Sequence, residues 1–355
     1  MTLSFTYSAL PGRVVFGVGS LDKLPEEVKR LGIKRALVLA TPPQREQAME
    51  IAGRLGELSV GVYDKAVMHV PVETAKAARD EVRRLNVDGT VAVGGGSTTG
   101  LAKAIALELG TPIIAVPTTY AGSEMTPIWG MTEGGIKTTG RDQKVLPKTV
   151  IYDPSLLTTL PADTTAASGM NAIAHCIEAL YAHDGNPIIA MMAEDGIRAV
   201  ARSLKTAVQS PKDMDARSDT LYGAWLAGTV LGATSMALHH KICHTLGGFN
   251  LPHAEVHTIV LPHAAAYNAG AAPEAMARAA RALGVASGKD VPGALYDLAK
   301  SCGAKMALAE VGMRAEDIDR ATEIALKAPY PNPRPLERNA IHKLLDDAFN
   351  GRRPS

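Results

Sequence analysis

The chain has 355 residues, 46% of them hydrophobic and only 4% aromatic, enough for two packed cores built mostly from small side chains. Its 37 basic and 36 acidic residues leave a net charge of +1. Basic residues never run longer than a pair, as in the tail at Arg352-Arg353, which argues against an electrostatic nucleic-acid binder. An apolar run of the ~18 residues that a membrane helix needs is absent, as is a charged-then-apolar leader. Cys176, Cys243 and Cys302 are isolated, so a disulfide framework is not expected and a reducing, cytoplasmic compartment is.

In chain order, residues 3–8 and 13–17 flank Pro11-Gly12 and read as a short β-hairpin. Residues 21–31 have the apolar spacing of an amphipathic helix. Short apolar strands then follow at 36–40, 58–63, 89–93, 112–116 and 149–152, separated by helices at 44–56, 72–85 and 101–109. Strands alternating with helices predict a parallel sheet covered on both faces. Past Asp153-Pro154 the strand-like runs stop. Helical spacing takes over at 164–182, 187–209, 217–236, 240–246, 253–268, 273–283, 292–302, 314–327 and 338–350. The division is placed at 156, giving a dinucleotide-binding α/β domain (1–156) and an all-α substrate domain (157–355). The turn-rich stretch 329–335, PYPNPRP, reads as a surface loop.

Two loops follow strand ends in the first domain. Gly94-Gly95-Gly96-Ser97-Thr98 lies between a strand and a helix, where glycines let backbone N–H groups approach a phosphate and a helix start favours an anion. It lacks the lysine of a Walker loop. Pro117-Thr118-Thr119-Tyr120-Ala121-Gly122-Ser123 follows the next strand. Ligands of open parallel sheets sit beyond the carboxyl ends of strands. The pair therefore predicts a dinucleotide, with pyrophosphate at 95–98 and the nicotinamide half near Thr118, Thr119 and Tyr120. After strand 36–40 the chain reads Thr41-Pro42-Pro43-Gln44-Arg45. An acid that would bind a ribose 2′-hydroxyl and repel a 2′-phosphate is missing, so both NADH and NADPH remain open.

In the helical half, Asn171 and His175 are four apart, as are His240 and His244, so each pair shares a helix face. Gly247-Gly248 offers a stop, and His253 follows Pro252 where a new helix can begin. The spacing predicts one pocket of imidazoles with an amide. Paired imidazoles suit zinc or iron, yet the anion that such an ion normally wants is missing: Asn171 is neutral, and Glu178 reads as a solvated residue. His257, four beyond His253, is expected on the same side, while His239 and His263 read as structural.

The segments GGGST, PTTYAGSE, GGIKTTGRDQKVLP and VIYDP, followed by the paired histidines in order, resemble the iron-containing (group III) alcohol dehydrogenase family over nearly the whole chain. The resemblance implies a Rossmann-like N-terminal domain, an all-α C-terminal domain (the architecture also of dehydroquinate synthases) and a homodimer. In metal-dependent relatives it implies an aspartate and three histidines as ligands, at the positions of Asn171, His175, His240 and His253. The acid is the one replaced. His244 matches a family histidine near nicotinamide and substrate. The longer phrases SGMNAIAHCIEALYA and MALHHKICHTLGGFNLPHAEVHTIVLPHA are most similar to the branch that reduces the carbon–carbon double bond of maleylacetate, a dicarboxylate, to 3-oxoadipate without a metal.

For that chemistry His244 or His240 is the expected donor and acid. His175 and His253 hold the substrate, Asn171 orients them, and Lys241 and Tyr120 are secondary candidates. Protonated imidazoles are also expected to attract the two carboxylates. The rival readings are a metal-dependent alcohol or polyol dehydrogenase and, from another class, a non-redox binder or a lyase of the dehydroquinate synthase type.

Overall fold

A computed structural model describes residues 5–7, 9–10, 12–134, 136–327 and 330–354. The chain divides into two compact units, Leu10–Leu160 and Pro161–Ser355, with residues 5–7 and 9 grouped with the second.

The first unit is built on β1 (Arg13–Phe16), α1 (Leu24–Arg30), β2 (Ala36–Leu39), α2 (Arg45–Leu55), β3 (Ser59–Tyr63), α3 (Val72–Arg84), β4 (Gly89–Gly94), α4 (Gly96–Leu109), β5 (Ile113–Pro117), β6 (Ile128–Glu133), β7 (Ile136–Arg141) and β8 (Thr149–Tyr152). Six strands form one parallel sheet in the order β1-β8-β5-β4-β2-β3. Period-2 alternation sends Ala36 and Val38 to the face covered by Leu24 and Val28 of α1 and Ile51 of α2. It sends Leu37 and Leu39 to the face covered by Ala75 and Val82 of α3 and Leu101 and Ile105 of α4. Both faces are buried, which is why these strands read as unbroken apolar runs.

One expectation fails here. β1 is not half of a hairpin: it pairs in parallel with β8, Arg13 opposite Thr149 through Phe16 opposite Tyr152. Residues 5–7 are not in a strand, and positions 3, 4, 8 and 11 lie outside the described residues. The antiparallel hairpin of this unit is β6–β7.

The second unit is helical: α5 (Ala162–Leu180), α6 (Pro187–Gln209), α7 (Met214–Ala233), α8 (Leu238–Gly247), α9 (His253–Ala269), α10 (Pro273–Leu283), α11 (Val291–Ser301), α12 (Asp317–Leu326) and α13 (Arg338–Phe349). Small residues let α5, α6 and α7 pack closely. A Cβ at Gly196 would lie 2.9 Å from Cys176 Sγ, and one at Gly223 would lie 2.6 Å from Val200 and 2.9 Å from the Gly196 carbonyl. α5 is buried from Thr165 to Ala179, so its chemistry-bearing side chains are delivered into the interior. Leu238, Ile242 and Leu246 of α8 pack with Val256 and Ile259 of α9, Ile318 of α12 and Ile341 of α13. The stretch 329–335 is more than a surface loop: Asn332 exchanges amide hydrogen bonds with Asn268 and accepts from the Leu238 N–H. Among the described residues no single helix is long and apolar enough to cross a membrane.

Candidate active site

In the α/β unit, β2, β4 and β5 are neighbours, so the loops at their carboxyl ends lie side by side. Gly94 has φ +146, and a Cβ there would meet Thr98 Oγ1 at 2.5 Å and Gln44 Oε1 at 2.7 Å. Only glycine fits. A Cβ on Gly95 would sit 2.9 Å from Thr119 Oγ1. α4 begins at Gly96, and its cap residue Gly95 has no side chain to occupy the first N–H groups. Those donors and the helix dipole make an anion site of this turn. The Thr41 hydroxyl donates to Gln44 Oε1 (3.0 Å), and Gln44 Nε2 donates to Thr118 Oγ1 (2.7 Å), joining the β2 loop to the β5 loop. The predicted contacts Thr41, Pro42, Gly94, Gly95, Gly96, Ser97, Thr98, Thr118, Thr119, Tyr120 and Ser123 thus all lie on these three loops, with Tyr120 fully buried. Arg45, next to Gln44, is paired with Asp64 at 2.6 Å.

Sequence reasoning missed what holds the second loop. Lys103 of α4 is fully buried. Its ammonium donates to the Ser123 carbonyl (2.6 Å), Thr126 Oγ1 (2.9 Å) and the Ile128 carbonyl (2.7 Å), with Ser123 Oγ at 3.3 Å. Burial lowers its pKa to about 7, against the pull of Glu124. Glu124 is itself buried, its pKa raised by burial, and accepts the Tyr152 hydroxyl at 2.8 Å.

In the helical unit, α5, α8 and α9 bring the predicted histidines together. The His175 and His240 rings stack at 5.1 Å, and His253 lies 4.2 Å from His257. Asn171, His175 and His240 are buried, and His253 is half-buried. His257 is central, with ring centroids 4.9 Å from His239 and 5.0 Å from His240. His239, read as structural, belongs to the cluster: it is fully buried, and its Nε2 reaches the His257 carbonyl at 2.9 Å. Pro262 inside α9 has no N–H to give the Thr258 carbonyl, next in the chain to that of His257. His244 is exposed, one turn beyond His240, its ring 6.3 Å away. Lys241 lies over the Tyr330 ring at 5.6 Å rather than among the imidazoles.

Glu178 is the clearest correction. It is fully buried, not solvated. Its Oε2 accepts from His240 Nδ1 (2.7 Å) and the Ala237 N–H (2.9 Å), and its Oε1 accepts from the His239 N–H (2.9 Å). The expectation of protonated imidazoles also needs correction. Burial first, and then the neighbouring rings, holds the pKa of His175, His240 and His257 well below the ordinary value, and that of His239 at about 4. These rings are neutral at pH 7, so they act on a substrate through hydrogen bonds and lone pairs. Asn171 Oδ1, His175 Nδ1, His240 Nε2 and both nitrogens of His257 are buried without a hydrogen-bond partner, polar atoms that a bound molecule would satisfy.

Two family models match the chain: iron-containing alcohol dehydrogenase over residues 11–154, and the C-terminal part of the Fe-containing alcohol dehydrogenase family over residues 165–349. Maleylacetate reductase of Burkholderia cepacia is 59% identical, and that of Sphingobium indicum 58%, each over 99% of both chains. The solved structure of maleylacetate reductase from Agrobacterium tumefaciens superposes with a TM-score of 0.95 at 50% identity, covering 99% of this chain and 100% of that one. The parallel-sheet unit, the helical unit and these matches agree: the chain belongs to the iron-containing alcohol dehydrogenase family of oxidoreductases.

Proposed function

We propose that the chain reduces the carbon–carbon double bond of maleylacetate to give 3-oxoadipate, using NADH or NADPH and no metal, as a homodimer. The relatives named above support the substrate. The open N-terminus of α4 and the bridged loops around Gly94 fit a dinucleotide.

Iron fits the cluster poorly. His239, His240 and His257 bring donor atoms within 4.8 Å of one another. However, His239 Nε2 is engaged by the His257 carbonyl, and the ring atoms left bare, such as His240 Nε2, belong to neutral imidazoles. A dipositive ion held by imidazoles normally takes an anionic ligand as well. Asn171 cannot supply one, and both oxygens of Glu178 are already occupied by N–H groups. This saturation of the cluster's carboxylate is the observation that carries the metal-free reading.

A reduced nicotinamide supplies hydride when bound. The ketone withdraws electrons more strongly than a carboxylate, so hydride is directed to the alkene carbon farther from it and negative charge collects on the ketone oxygen. His175 and His253 hold the substrate, with Asn171 orienting them. His244, or His240 once its bare Nε2 has taken up the one proton that the reaction consumes, donates to the developing oxyanion and delivers a proton to the other alkene carbon. Protein, substrate, NADH and one proton thus become protein, product and NAD.

Steady-state rates with maleylacetate and each reduced nicotinamide, with and without EDTA and beside elemental analysis, test this. Turnover that survives chelation is expected. A stoichiometric metal whose removal abolishes turnover, with comparable rates on simple alcohols, would establish the metal-dependent dehydrogenase instead. Light scattering checks the dimer.

A further inference from the structure

We infer that Glu178 is the positioning residue of the imidazole cluster: it fixes His240 in the Nδ1–H form and leaves Nε2 as the ring atom open to the substrate. This builds on the reading of His240 as a proton-handling residue and adds what orients it.

The inference follows from counting donors. Oε2 of Glu178 receives the Ala237 N–H (2.9 Å), the His240 N–H (3.3 Å) and His240 Nδ1 (2.7 Å). Oε1 receives the His239 N–H (2.9 Å) and the Tyr181 hydroxyl (3.3 Å). Backbone N–H groups can only donate, and each oxygen faces at least one. Four N–H or O–H donors, from Ala237, His239, His240 and Tyr181, converge on the two oxygens and match a carboxylate that only accepts, so the hydrogen on the 2.7 Å contact comes from His240 Nδ1. His239 agrees with this independently. Its Nε2 reaches the His257 carbonyl, which can only accept, so its Nδ1 carries no hydrogen, and that bare nitrogen faces His240 Nδ1 at 3.4 Å.

The opposite ring atom, His240 Nε2, is buried without a partner, on the ring that stacks against His175. The same carboxylate closes the start of α8, whose own cap residue, Ala237, has no polar side chain. Ring orientation and helix start are therefore set by one group. The charge that Asn171 does not bring to the cluster is present behind His240, in the place where a carboxylate orients an imidazole without touching the substrate.

The direct test is the tautomer of His240 in the full-length protein labelled with [15N]histidine, its signals identified by their loss in His240→Asn. A protonated Nδ1 and a bare Nε2 are expected, and an Nε2–H ring would overturn the inference. This measurement needs no turnover, so it stands whatever the substrate proves to be. The second arm is Glu178→Gln, whose amide must present N–H to one of the crowded donors. Loss of kcat by about 10² or more is expected, with KM for substrate and nicotinamide within about threefold and a tautomer change at His240. A folded Glu178→Gln with wild-type kcat refutes the assignment, as does a loss that appears only in KM. Should that variant not fold, the wild-type spectrum decides.

Discussion

Lys103 in the α/β unit and Glu178 in the helical unit are buried charged side chains, each satisfied by a set of partners of the opposite polarity. In the α/β unit Lys103, which can only donate, gathers two carbonyls and a threonine hydroxyl from residues 123–128. In the helical unit Glu178, which here only accepts, gathers backbone N–H groups from the first turn of α8 and the His240 ring. A buried charge without such partners costs several kcal/mol, so each knot holds its loop or helix start in one geometry. The difference lies in what surrounds them. Lys103 is cut off from water and loses affinity for its own proton, with a pKa of about 7. Around Glu178 the neighbouring imidazoles lose theirs. The two units should therefore answer to pH in different windows, and each contains one of the two tryptophans, Trp129 and Trp225, as a reporter.

The largest effect is expected on the acid side. His175, His239, His240 and His257 stay neutral in the fold, while the unfolded chain takes up protons near pH 6.5. Stability that is intact above 6.5 is lost as pH falls toward the folded values, about 4 for His239. Each group contributes up to about 1.4 kcal/mol per pH unit. Urea titrations followed at Trp225 should show this steep loss between pH 6.5 and 5. A flat profile there would mean that the cluster is hydrated and charged.

Much of this was legible in the sequence, and the gaps have physical causes. The β2, β4, β5 and β8 runs stood out because burial on both faces makes them continuously apolar. The i, i+4 histidines stood out because helix periodicity places them on one face. β1 was misassigned because its partner strand, β8, lies more than a hundred residues along the chain, beyond what a local hairpin pattern can report. β6 is nowhere fully buried, β7 is mostly exposed, and both carry glycine and threonine, so no apolar run marked them as strands. Glu178 and Lys103 escaped for one shared reason. A charged residue in a helix reads as solvated, and the groups that satisfy these two lie 59–62 and 20–25 positions away.

Next in size is the separation of His240 from His244. Truncation of the buried ring backed by Glu178 should cost about 10²–10³ in kcat, some 3–4 kcal/mol of barrier. His244, exposed and 6.3 Å away, should cost less. Equal losses in His240→Ala and His244→Ala, or a larger loss in the second, would move the acid to His244 and break the link between knot and chemistry.

Lys103 has its own window. Its folded pKa of about 7 lies below the ordinary 10.5, so the unfolded chain holds the extra proton between those values. Stability gained above 10.5 is lost as pH falls through 7. Between pH 7 and 9 the wild type should gain about 2–3 kcal/mol relative to Lys103→Met, read at Trp129. A constant offset between the two proteins would show that the four oxygens keep the ammonium charged throughout.

The smallest effect is also the one that reaches across the family. Asn171→Asp places a carboxylate beside His175, where the amide oxygen is buried without a partner. The change is close to isosteric, so the fold should tolerate it, and the new charge should draw a divalent ion to imidazoles that are already neutral and therefore ready to ligate. Affinity for Zn²⁺ should rise by about tenfold or more, measured by calorimetry against the wild type. Maleylacetate turnover should fall once the ion is bound, because lone pairs that serve the substrate would be engaged by metal. If the wild type already binds the ion as tightly as Asn171→Asp does, the amide does not set the cluster's affinity for metal, and the contrast between a saturated Glu178 and a neutral Asn171 loses its force.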